Sequence, residues 1–213
     1  MKNGNIDNIF IYWIYFVSII LISIYILESF DFISGLFRED ISYISSIIVS
    51  IFTFYLFRGG YHLYKLRYAI NSLIQENSSS NNNIFIEILD EYRSSLSNTS
   101  NNKSFQEQLK SRLYEIVDNG FFVADILLKL GIVGTVIGFI IMLSSLSTID
   151  EMNLSKMNNL LLSMSSGMKV ALYTTLSGLI CSILLTIQNN YFENKINNFI
   201  SKILSSGDNE KKD

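Results

Sequence analysis

Four stretches of the chain are long, apolar and almost free of charge: residues 9–27, 41–57, 121–147 and 160–187. The first, IFIYWIYFVSIILISIYIL, meets the ~20 apolar residues that a ~30 Å hydrocarbon core requires. Glu28, Ser29 and Phe30 follow it where a signal peptide would carry a small-residue cleavage site, so it reads as a retained span. The second is slightly short and closes on Arg58, whose stem can carry its charge to the headgroups. Asp125 and Lys129 interrupt the third near its start, and Lys169 interrupts the fourth. The pattern predicts an all-α polytopic membrane protein with four transmembrane helices and a small helical cytoplasmic segment at residues 58–120.

Within that segment, Phe85, Ile88, Leu89, Tyr92 and Leu96 recur at the spacing of an amphipathic helix, and Leu109, Leu113, Ile116 and Val117 do the same. The Ser/Asn-rich stretches 77–83 and 97–104 read as loops between these pieces. Basic residues set the orientation. Loop 28–40 holds only Arg38 and loop 148–159 only Lys156, whereas Arg58, Lys65 and Arg67 follow span two and Lys110 and Arg112 precede span three. Lys195, Lys202, Lys211 and Lys212 follow span four. Lys/Arg-rich flanks stay inside, so both termini are expected in the cytoplasm, with residues 192–213 forming a cytoplasmic tail.

Composition narrows the class. Of 213 residues, 49% are hydrophobic and 16% charged, too oily for an ordinary soluble domain. The net charge of −3 lacks the basic footprint of a nucleic-acid binder, and one cysteine cannot form an internal disulfide. The absence of proline predicts long, unbroken helices.

The spans fall into two kinds. Residues 1–57 hold two aromatic, bulky helices suited to the outside of a bundle. Residues 121–191 hold two helices with small-residue stripes. Gly131, Gly134, Thr135 and Gly138 lie on one face of span three, and Gly167, Ala171, Thr174, Thr175, Gly178 and Ser182 form a stripe on span four. Such stripes fit close helix packing, with hydroxyls bonded to carbonyls one turn back. They equally fit a hydroxyl-lined pore, because hydroxyls exchange hydrogen bonds with water or ions without a buried charge. Periodicity leaves both open.

The residues themselves carry a resemblance. LGIVGTVIGFIIM at 130–142, followed by SGMKVALYTTLSGLICSILLTIQNN at 166–190, resembles the MotA/TolQ/ExbB proton-channel family. Gly131, Gly134, Thr135, Val136 and Gly138 match that family's G-x-x-G-T-V-x-G helix. Gly167, Ala171, Leu172, Thr175, Gly178, Leu179 and Asn190 match the second motif, which ends close to an Asn. The four-span layout is nearer the MotA branch. The resemblance implies an ion-conducting subunit, for H+ or Na+, of a motor in a bacterial cytoplasmic membrane. It further implies a homopentamer whose third and fourth helices form the pore around two copies of a single-span MotB/TolR/ExbD-like partner. The partner would supply an aspartate. This chain has no Asp or Glu in the middle of either stripe, so it offers hydroxyls and no group that binds and releases a proton at accessible pH. Thr135 and Thr175 occupy the family's ring-threonine positions and are expected to line the ion route, with Thr174 and Ser177 beside them. The chain is expected to be neither an enzyme nor a cofactor binder.

Three positions depart from the family. Val170 stands where the ExbB branch carries a carboxylate, and Leu128 and Leu184 stand where the family often has proline. Asp125 and Lys129, four residues apart, are expected to pair at the cytoplasmic end of span three or to contribute to the ion exit. Lys169 is expected to snorkel or to pair with a neighbouring subunit, His62 to be interfacial, and Cys181 to be a small packing residue. Two other classes stay open: a non-conducting scaffold that oligomerises through its glycine-rich helices, and a small-solute transporter. The transporter lacks support, since no inverted repeat or Gly/Pro-broken half-helix is visible.

Overall fold

The computed structural model describes residues 8–29, 34, 43–75, 102–144 and 154–210. These form four α-helices, α1 (Asn8–Ser29), α2 (Ile44–Gln75), α3 (Asn102–Ser144) and α4 (Leu154–Glu210), with no strand among the described residues. With no proline to remove a backbone donor, α2, α3 and α4 run uninterrupted for 32, 43 and 57 residues. They extend well past the apolar runs. Residues 102–104, read as loop from sequence, already belong to α3, and residues 154–159 to α4. The expected amphipathic helix at 85–96 and the loop at 77–83 lie outside the described residues. Tyr43 has a φ of 56°, in the left-handed region, and its carbonyl accepts the Ile47 N–H at 3.1 Å as α2 begins.

Three helices carry stretches long and apolar enough to cross a membrane: Ile44–Tyr68, Lys110–Ser144 and Leu160–Ser201. The four-span expectation is met for these three. On α1 the apolar stretch, Ile11–Ile26, is shorter.

The chain divides into two compact units. Unit 1 comprises Met1–Val17, Leu56–Phe121 and Ile187–Asp213, and unit 2 comprises Ser18–Tyr55 and Phe122–Thr186. In unit 1 the core is built from one stripe per helix: Leu56, Leu63 and Leu66 on α2, Leu113 and Val117 on α3, and Phe192, Ile196 and Phe199 on α4, all buried. Glycines let large groups in between. Trp13 covers Gly60, the Gln188 amide lies against Gly59, and the Asn189 amide lies against Gly120. Gln188 donates to the Leu56 carbonyl at 3.2 Å, and Tyr114 donates to the Asn197 side-chain oxygen. The His62 and Phe192 rings are 6.1 Å apart. These contacts run α2 parallel, and α3 antiparallel, to α4. They also align four sequence boundaries: the apolar run of α1 begins at residue 9, that of α2 ends at 57, that of α3 begins at 121 and that of α4 ends at 187. The four polarity steps meet at one level of unit 1.

Unit 2 has its own core of Ile48, Phe52, Leu127, Val170, Ala171 and Leu185, at most 7% exposed. Its outer surface is apolar. Ile132, Val136 and Phe139 on α3, and Leu172, Leu179 and Ile183 on α4, are 41–64% exposed, as expected of a surface solvated by lipid or by other membrane helices.

Candidate functional site

In hydrocarbon, helices gain little from burying apolar side chains against each other, so close backbone approach and interhelical hydrogen bonds must hold them together. The small-residue stripes of α3 and α4 supply both within unit 2. A methyl group at Gly138 would lie 2.6 Å from the Ala171 nitrogen, and one at Gly167 would lie 2.7 Å from the Met142 nitrogen and 2.8 Å from the Gly138 oxygen. One at Gly178 would sit 2.8 Å from both Gly131 Cα and the Leu127 carbonyl oxygen. At Gly134 it would meet the Thr174 side chain. The pairs Gly131 with Gly178, Gly134 with Thr174, Gly138 with Ala171 and Met142 with Gly167 form one antiparallel ladder. The glycine and alanine positions expected from sequence are therefore brought together, backbone against backbone, inside a single chain.

The four hydroxyl residues separate into two classes along this seam. Thr174 is fully buried and donates to the carbonyls of Val170 at 2.9 Å and Ala171 at 3.1 Å. Ser177, 6% exposed, donates to the Thr174 carbonyl at 2.9 Å. Both are buried and bonded back to their own helix, and Thr174 lies against Gly134 of α3. Thr135 and Thr175 are half-buried and share one level of the ladder. Thr135 donates to the Ile132 carbonyl, and Thr175 reaches across the seam to the Gly131 carbonyl at 3.1 Å. A hydroxyl has one donor and two acceptor lone pairs. With both protons turned to neighbouring carbonyls, each threonine oxygen keeps acceptor capacity at the edge of the seam.

The charged candidates lie elsewhere. Lys129 and Asp125 form an ion pair one turn apart on α3, with both side chains more than half exposed. Lys169 is exposed on α4, whereas Val170 is completely buried and Cys181 is a buried free thiol. α3 and α4 continue through Leu128 and Leu184 without a break. Among the described residues, no group of three or more His, Cys, Asp and Glu could hold a metal ion.

Sequence inspection missed the amides of unit 1. Asn190, which matches the end of the second motif, is exposed, while the neighbouring Gln188 and Asn189 are buried, at 3% and 7% exposure. The available signal was the Gly59-Gly60 pair just after Arg58, two adjacent positions without side chains in a helix with no turn to make.

Three helices able to span a bilayer, two of them joined along a glycine seam edged by threonines, define an integral membrane protein, all-helical among the described residues apart from Tyr43. The chain belongs to the MotA/TolQ/ExbB proton channel family, whose model matches residues 78–204, more than half of its length. That match takes in both glycine motifs and the whole ladder. No curated protein and no solved structure gives a significant match.

Proposed function

We propose that this chain is the ion-conducting subunit of a membrane motor, passing H+ or Na+ and coupling that flow to rotation or other mechanical work. Five copies form a ring around two copies of a single-span partner, whose aspartate supplies the titratable group missing from the stripes of α3 and α4. In this proposal α1 also spans, both termini lie in the cytoplasm of a bacterium, and the chain performs no bond-making chemistry and holds no resident cofactor.

The observation that carries the proposal is the pair Thr135 and Thr175, half-buried at one level of the seam, with protons directed at carbonyls and lone pairs left to accept. Such oxygens can replace part of the hydration of a passing cation or hold a water that relays a proton. Replacing Thr175 with Val keeps the shape and removes the oxygen. Ion-driven work by the subunit with its partner should be lost while the purified ring keeps its subunit number; full activity of T175V would overturn the assignment. The scaffold alternative draws no support from the glycines, because their face is covered within one chain and is not offered to another.

A further inference from the structure

We propose that unit 1 holds an internal water site between α2 and α4, in which one water bridges Gln188 Oε1 and His62 Nδ1. Gln188 is 3% exposed, and its amide fills the place that a side chain on Gly59 would take. The amide nitrogen donates to the Leu56 carbonyl at 3.2 Å, which leaves Oε1 buried and without a hydrogen-bond partner. Turning the amide over only moves the defect, because the Leu56 carbonyl needs a donor and Oε1 is none. His62 Nδ1 is a second such atom, closed off from solvent and without a hydrogen-bond partner. Buried polar atoms left in this state are costly, and internal water is the usual partner where two of them lie close together.

The helix pair brings the two atoms together. Gly59 packs against Gln188, and one turn further along both helices His62 packs against Phe192. His62 therefore follows Gln188 directly along the seam. One turn is about 5.4 Å, close to two hydrogen bonds of about 2.8 Å laid end to end, the span that a single water bridges. The water donates to Oε1, and it accepts from Nδ1 or donates to it according to the ring tautomer. Trp13 on Gly60 and Phe192 beside His62 supply apolar walls. A cation is the poorer occupant, since Arg58 is close enough to act on the same ring electrostatically. Asn189, the next residue of α4, turns to Gly120 of α3 and lies outside the site. The site holds whether or not the chain conducts ions.

His62 is the chain's one histidine, so the full chain made with isotope-labelled histidine gives a single imidazole spectrum by NMR. It is studied in a neutral detergent at about pH 8, where an imidazole is ordinarily neutral. A water held beside the ring should give cross-relaxation to the carbon-bound Hε1 proton with the sign of a bound molecule, which bulk water does not produce. Gln188→Met and Gln188→Leu fill the same place with apolar side chains and remove the acceptor. Whichever of them keeps the helical circular dichroism of the parent chain should lose this signal and move the Nδ1 resonance. Absence of the signal in the parent chain would overturn the proposal on its own, and so would an undiminished signal in either folded variant. A signal present in sodium chloride and lost in choline chloride would assign the place to a cation and overturn it as well.

Discussion

Thr175 donates its hydroxyl proton across the helix pair to the carbonyl of Gly131, at 3.1 Å. The bond exists because neither Gly131 nor Gly178 has a side chain to hold α3 and α4 apart at that level. It ties a residue of the proposed ion route to the packing seam, so structural and functional effects of substitutions there must be measured separately. Thr175→Ser retains the hydroxyl and should unfold within a degree or two of the parent chain in detergent. Thr175→Val loses one interhelical bond, about 0.5–1.5 kcal/mol. A thermal melt by circular dichroism checks this, and T175V melting as high as T175S would show that the bond contributes nothing.

The ladder gives an unequal expectation for its glycines. A methyl at Gly138 or Gly178 would meet backbone atoms of the other helix at 2.6–2.8 Å, atoms that no side-chain rotation can move. At Gly131 the nearest atoms are 3.2 Å away. Gly138→Ala and Gly178→Ala should therefore destabilise by about 1–3 kcal/mol, the usual range for overpacking, and Gly131→Ala by clearly less. Equal melting temperatures for the three variants would contradict the ladder geometry.

In unit 1, Gly120 and Asn189 are expected to behave as a pair. A methyl at Gly120 would lie 2.5–2.7 Å from the Asn189 amide. Gly120→Ala should destabilise the chain, and adding Asn189→Ala should recover part of that loss because the collision disappears. Residues in contact commonly couple by about 0.5–3 kcal/mol, so the double variant should be more stable than the sum of the single effects implies. Simple additivity would separate the two residues.

The exposed pair of Asp125 and Lys129 separates two roles by its stability effect. With both side chains more than half in the open, its contribution to folding should stay within about 1 kcal/mol. Asp125→Asn should therefore leave the melting temperature nearly unchanged. A fall in ion flux at unchanged stability would assign Asp125 to the ion exit, and unchanged flux would leave it a surface ion pair.

Orientation is open to direct labelling. In a Cys181→Ala background, a cysteine at Ser34 should react with an impermeant maleimide from outside the cell. One at Ser111, exposed on α3, should react only after permeabilisation. The opposite pattern would invert the expected topology.

The apolar runs made the helices legible because a bilayer permits few other solutions for a long uncharged segment. The glycine and threonine spacing likewise identified the seam, since a period of 3.6 places Gly131, Gly134 and Gly138 on one face whatever covers them. Sequence could not show that Thr174 turns into the seam while the adjacent Thr175 bonds across it, a difference of one helical step that only the position of α3 decides. Helix ends were also hidden. Residues 102–104 and 154–159, expected as loop, belong to α3 and α4, and beyond Ile187 α4 runs on to Glu210 in one piece, with Ile196 and Phe199 buried in unit 1. The amides Gln188 and Asn189 were missed because the glycines they pack against lie on other helices, far away in sequence.

The ladder also limits how the chain can change in length. Its contacts keep a constant phase, with each step up α3 from Gly131 to Met142 matched by a step down α4 from Gly178 to Gly167. Inserting one residue within either stretch would rotate everything beyond it by about 100°. An insertion between Gly131 and Gly134 would carry branched side chains such as Ile132 or Val133 to places where even a methyl does not fit. Substitutions can be tolerated there one at a time, but single insertions and deletions between 131 and 142, or between 167 and 178, should not be.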